Sequence, residues 1–105
     1  MSDPLRVKAS VFATLGDVSR LRILNLLAEG DRCVCELTPI LGLAQPTVSR
    51  HLSVLVGQGL LKCRKVGSRM IYSLAAPEIL KVLESVDESL IERLKENVVA
   101  KMSQA

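Results

Sequence analysis

The stretch Gln45-Pro46-Thr47-Val48-Ser49-Arg50-His51-Leu52-Ser53-Val54-Leu55 decides the fold. Pro46 suits the first turn of a helix, where its missing N–H costs nothing. Val48, Leu52 and Leu55 recur at helical spacing and form one apolar stripe. With that stripe turned inward, Gln45, Thr47, Ser49, Arg50 and Ser53 are left outward or at the rim. Amides, hydroxyls and guanidinium groups are the side chains that hydrogen-bond base edges and phosphates. His51 has two readings, a DNA contact beside Arg50 or an orienting, partly buried group. Gly57-Gln58-Gly59 stops the helix.

A short helix precedes this one. Asp31 is its expected N-cap, Val34, Leu37 and Leu41 its buried face, and Gly42 its end. Two short helices joined by a tight glycine-containing turn make a helix-turn-helix. Downstream, Leu60–Lys65 and Arg69–Leu74 are short runs rich in apolar and β-type residues, with Val66-Gly67-Ser68 between them. They read as a β-hairpin, and it carries Arg64, Lys65 and Arg69. That order predicts a winged helix-turn-helix: the second helix enters the major groove and the wing reaches the backbone or minor groove. Three further helices complete the reading, over roughly Leu5–Leu15, Val18–Ala28 and about twenty residues from Pro77. The last is lined by Ile79, Leu83, Val86, Leu90 and Leu94. The fold class is thus mainly α with a β-hairpin wing, in one domain over residues 1–105.

Charge supports a polyanion partner. The net charge is only +3, but every Asp and Glu lies at or before Glu36 or at or after Glu78. The acid-free middle carries Arg50, Lys62, Arg64, Lys65 and Arg69, a basic segment coincident with the helix-turn-helix and the wing. Aromatic residues are 2% of the chain, Phe12 and Tyr72, which disfavours modules that stack bases on aromatic rings. A single His excludes most His-based hydrolytic and zinc-enzyme constellations. No apolar run approaches a membrane span, and Asp3, Arg6 and Lys8 stand where a signal peptide would turn apolar. The chain reads as cytoplasmic, with no membrane partner.

Cys33 and Cys35 stand one residue apart at the start of the first helix of the pair, and Cys63 lies on the hairpin. Thiolates are soft ligands for thiophilic ions. The helix N-terminus and Arg32 favour the thiolate. Residues two apart diverge by about 200° on a regular helix, so chelation by this pair requires an irregular or unwound first turn. Plain core filling and a thiol redox switch are the competing roles.

Three segments together resemble the ArsR/SmtB family. They are Leu15-Gly16-Asp17-Val18-Ser19-Arg20-Leu21-Arg22-Ile23-Leu24, Cys33-Val34-Cys35-Glu36-Leu37, and Gln45 to Leu55. The resemblance implies a homodimeric winged-helix repressor, paired through its first and last helices, that releases operator DNA when metal ions bind. It further implies an arsenic-type site at Cys33 and Cys35 for As(III) or Sb(III), with Cd(II), Pb(II), Zn(II) or Cu(I) as alternatives, and no required cofactor. A third cysteine is expected three residues after the second, and Thr38 stands there. The third ligand is left to Cys63, the second subunit or a thiol from solution. The zinc-type site of other members needs His on the last helix, which has none. The leading function is a metalloid-responsive repressor. A redox-responsive repressor is the alternative. A thiol oxidoreductase or arsenate reductase is disfavoured by the lack of a Cys-x-x-Cys motif, a phosphate loop and an acid–base pair.

Overall fold

The computed structural model describes residues 3–103; Met1, Ser2, Gln104 and Ala105 lie outside the described residues. The order is α1 (Pro4–Leu15), α2 (Val18–Ala28), β1 (Arg32–Cys33), α3 (Val34–Leu41), α4 (Gln45–Gly57), β2 (Leu61–Val66), β3 (Arg69–Leu74), α5 (Ile79–Ser85) and α6 (Glu88–Ser103). The winged helix-turn-helix is as expected. Aspartates start three of the helices; in the first two, Asp3 Oδ1 accepts from the Leu5 N–H of α1, and Asp17 Oδ1 from the Arg20 N–H of α2. Gly42, at φ +67°, supplies the left-handed residue that turns α3 into α4. Gly67, at φ +62°, does the same at the tip of the wing, where Val66 pairs with Arg69 across a two-residue turn.

Three expectations need correction. The first concerns the entry to α3. A two-residue strand intervenes, because Arg32 and Cys33 pair with Tyr72 and Ile71 along the free edge of β3. The sheet is therefore three-stranded, in the order β1-β3-β2. Cys33, not Asp31, is the N-cap of α3. Second, the long C-terminal helix is two helices. Val86 leaves helical geometry, and Asp87 accepts the Leu90 N–H at 2.8 Å to begin α6. The stripe from Leu83 to Leu94 thus belongs to two helices with different tasks: Leu83 packs against the core, while Leu94 is exposed. Third, Pro77 precedes α5 rather than opening it.

The core is aliphatic. Ile23 and Leu24 of α2, Leu37 of α3 and Val48, Leu52 and Leu55 of α4 are fully buried, joined by Leu60, Leu61 and Ile79. Burying such side chains stabilises by about 1.5–3 kcal/mol each, so the inward stripe of α4 fixes which of its residues face out. Among the described residues, no helix is long and apolar enough to cross a membrane.

The Asp17 carboxyl sits below its ordinary value of 3.8, chiefly because it accepts the Arg20 N–H, which outweighs the opposing effect of burial. A depressed folded value contributes stability above the unfolded value and loses it as pH falls through the folded one. Asp17→Ala should lower stability by about 0.5–2 kcal/mol near neutral pH. Denaturation at stepwise lower pH should show that difference shrinking from the ordinary carboxylate value downward.

Candidate DNA interface and cysteine pair

The outward face of α4 follows from its stripe. Gln45, Arg50 and Ser53 are exposed, and Thr47 and Ser49 are half-buried at the rim. Ala44, the N-cap, supplies no side-chain hydrogen bond and Pro46 has no N–H. The start of α4 is thus open to an acceptor such as a phosphate. His51 departs from this group. Its side chain is 13% exposed, and Nδ1 accepts from Arg20 Nε at 3.2 Å. Of its two readings, the structure favours the orienting one over a base contact.

The cations of the wing do not share one face. Residues alternate along a strand, and cross-strand partners share a face. Arg64 pairs with Ile71 and Val66 with Arg69, which puts Arg64 and Arg69 on one side; Lys65, paired with Met70, lies on the other. Lys65 and Arg69 are exposed. Arg64 is half-exposed and tied to Asp31 by a 2.9 Å ion pair, so its charge is partly matched within the chain. An exposed pair of this kind is worth about 0–1 kcal/mol.

Cys33 and Cys35 are brought together without any unwinding of α3; of the two expected alternatives, it is the irregular entry to the helix that is found. Cys33 is extended, at φ −87° and ψ 163°, and Cys35 is the second helical residue. An N-cap side chain naturally folds back toward the N2 and N3 positions. The sulfurs consequently converge, and the two residues are joined as a disulfide with Cα atoms 5.2 Å apart. Cys33 is fully buried, whereas Cys35 is exposed.

The surroundings are less cationic than the sequence suggests. Arg32 lies 3.3 Å from Glu29 and 3.9 Å from Glu36. Glu36 also accepts the Cys33 N–H at 3.1 Å, and so sets a negative charge beside the pair.

Cys63 is not a ligand partner for them. The strand order puts β3 between it and Cys33, about 9–10 Å at ordinary interstrand spacing. The register puts Cys63 opposite Tyr72 and Cys33 opposite Ile71, hence on opposite faces of the sheet. Burial, with the neighbouring Cys63 thiol, raises the Tyr72 hydroxyl pKa. Thr38, standing in the place of the expected third cysteine, donates its hydroxyl to the Val34 carbonyl at 2.8 Å. Among the described residues, no group of three His, Cys, Asp or Glu side chains could hold a metal.

A proline in α3 acts on the same turn as Cys35. Pro39 lies inside the helix. It has no N–H to donate to the carbonyl four residues earlier, that of Cys35. The turn bearing Cys35 therefore lacks one of the bonds that tie a helix to its first turn. The signal was present in the sequence as a proline four residues after a cysteine.

Residues 17–62 match the family model described as bacterial regulatory protein, arsR family. An uncharacterized HTH-type transcriptional regulator of Methanocaldococcus jannaschii is 41% identical over 76% of this chain and 91% of its own length. The arsenical resistance operon repressor of Escherichia coli is 46% identical over 62% of this chain and 56% of its own. Among solved structures, the crystal structure of Mycobacterium tuberculosis Rv0081 superposes with a TM-score of 0.77 at 41% identity, covering 92% of this chain and 99% of that one. A homodimeric winged helix-turn-helix DNA-binding domain from Mycobacterium bovis, a possible ArsR-family regulator, gives 0.75 at 31% identity, covering 91% and 93%.

The exposure difference predicts an order of reaction. After reduction, a limiting thiol reagent should label Cys35 before Cys33, because only the exposed sulfur meets the reagent directly. Peptide mapping of the singly labelled protein checks this; equal labelling would show that α3 opens readily at its first turn.

Proposed function

The chain belongs to the ArsR family of transcriptional regulators, not to an enzyme family, and we propose that it is a metalloid-responsive repressor. In this reading a homodimer binds operator DNA and releases it when As(III), Sb(III) or another thiophilic ion binds Cys33 and Cys35. The single observation that carries it is the convergence of two sulfurs at the head of α3, the helix packed behind α4. Relatives named as arsenical resistance operon repressors support the choice of ion. Two sulfurs from one chain leave a third ligand to a thiol from solution or to the second subunit.

Release follows from where the sulfurs are anchored. Cys33 belongs to β1, paired to the wing strand β3, and Cys35 belongs to α3. In the reduced protein, an ion bound by both thiolates ties these two otherwise separate sulfurs into one fixed geometry. The strain falls on the turn that Pro39 leaves under-bonded, and α3 shifts against α4 and the wing. A ligand lowers DNA affinity only by favouring such a weaker-binding conformation.

The disulfide itself favours a second reading, a repressor that answers oxidation through the same pair. Fluorescence anisotropy of a labelled operator duplex separates the two. Under reducing conditions As(III) should weaken binding about 5–150-fold, and Cys33→Ser or Cys35→Ser should abolish the response while still binding DNA. A response to peroxide alone would establish the redox reading instead, and an unchanged response in both variants would contradict either. In the same assay, Arg50→Ala should cost about 1–3 kcal/mol at selected DNA. Lys65→Ala and Arg69→Ala should weaken all sequences alike and lower the salt slope by about 1 each.

The dimer is built on α6 and α1 in this proposal. Among the described residues α6 buries none, and Ile91, Leu94, Val98, Val99 and Met102 are exposed. Phe12 of α1 is exposed too, above an apolar groove of about 610 Å³ lined also by Leu15, Leu21, Leu83 and Ile91. Apolar surface of this extent marks an interface. Sedimentation at micromolar concentration should give a dimer, and Leu94→Asp, which buries a charge there, a monomer.

A further inference from the structure

His51 is the only histidine of the chain, and it connects the outward-facing helix to α2. Its Nδ1 accepts from Arg20 Nε at 3.2 Å. The same guanidinium donates through Nη1 to the Thr14 carbonyl at 3.1 Å. Thr14 is buried in the last turn of α1. Arg20 thus bonds α4 on one side and α1 on the other from its own place on α2. Asp17 fixes the base of the arrangement, accepting the Arg20 N–H at 3.0 Å with its Oδ1 4.0 Å from the imidazole.

This bond restricts a motion that the apolar stripe does not. Val48, Leu52 and Leu55 hold α4 against the core, but a helix seated on aliphatic side chains can still roll. A roll of about 15° moves a side-chain tip some 6 Å from the axis by about 1.5 Å. That is enough to break a hydrogen bond to a base. The link to Arg20 is directional and sits between exposed Arg50 and buried Leu52, where it opposes the roll.

Its chemistry sets a condition. Arginine has donors only, so Nδ1 accepts from it only in the neutral imidazole with its proton on Nε2. The charged groups facing the ring are Arg20 of α2 and Asp17, the N-cap of that helix; α1 contributes the uncharged Thr14 carbonyl through Arg20, and Arg50 is the adjoining residue of α4. A protonated Nδ1 cannot accept. It repels the guanidinium and turns to the Asp17 carboxylate, and the α4–α2–α1 connection is lost.

We propose that Arg20 and His51 are positioning residues for DNA reading, locking α4 to the α1–α2 frame through a bond that exists only with a neutral imidazole, so that discrimination between DNA sequences falls on acidification. The inference rests on α4 being the helix that enters the groove.

The test uses the full chain, with a duplex enriched by the protein from a randomised pool and a scrambled duplex of the same composition. The measured quantity is the ratio of the two affinities between about pH 8 and pH 5, where an imidazole is the side chain that ordinarily changes charge. The wild-type ratio should fall toward acid by about tenfold, the equivalent of one charge-assisted hydrogen bond. The affinity for the scrambled duplex should not fall with it. His51→Gln should give a ratio independent of pH. Arg20→Ala should lower the ratio to the acid value already at neutral pH, and combining the two should lower it no further. The wild-type profile needs no variant to fold. A wild-type ratio constant across the range, a decline that persists in His51→Gln, or simple additivity of the two substitutions would overturn the inference. Arg50→Ala separates it from the underlying reading. If that variant discriminates as well as wild type, the groove-entering role of α4 fails. If it loses discrimination while Arg20→Ala keeps it, only the positioning role fails.

Discussion

The burial of Val48, Leu52 and Leu55 is the constraint on which the rest depends. Three aliphatic side chains on one side of α4 determine that Gln45, Arg50 and Ser53 face outward. They also determine that α3, whose Leu37 shares the same core, lies directly behind. A polar face is displayed because the opposite face has nowhere else to go. Losing one of these leucines to alanine would cost about 2–5 kcal/mol, a large part of the stability of a domain this size.

A second constraint links recognition to sensing. The head of α3 is also the point where β1 joins the edge of the wing. Any chemistry at Cys33 and Cys35 therefore acts on a junction shared by helix-turn-helix and wing. No long pathway through the molecule is required, since the sulfurs belong to the elements that would move. Glu36 and Arg32 complicate the site electrostatically, because the carboxylates of Glu29 and Glu36 draw the guanidinium charge away from the thiols.

Much of this was legible in the sequence. The α4 stripe, the glycine turn at Gly42, the hairpin around Gly67 and the acid-free basic segment each follow from local rules of period and turn chemistry. What was hidden depends on partners distant in the chain. β1 exists because Arg32 and Cys33 meet the edge of β3, some forty residues on. The break at Val86 was masked by a leucine spacing that runs across it unbroken, although Asp87 carried the cap signal. The cysteines converge because Cys33 is an extended cap and not a helical residue, and that depends on its pairing with Ile71. The inward turn of His51 depends on Arg20, thirty-one residues earlier, and no spacing rule exposes that.

In the proposed mechanism, ion binding at Cys33 and Cys35 and DNA binding by α4 oppose one another through the α3 junction. Coupling between two binding sites is reciprocal. Isothermal titration of As(III) into the reduced protein, alone and saturated with operator duplex, measures the coupling from the side of the ion. The affinity should be weaker in the DNA complex by the same factor by which the ion weakens DNA binding. Equal affinities in the two titrations would contradict it, even if the ion is bound by both sulfurs.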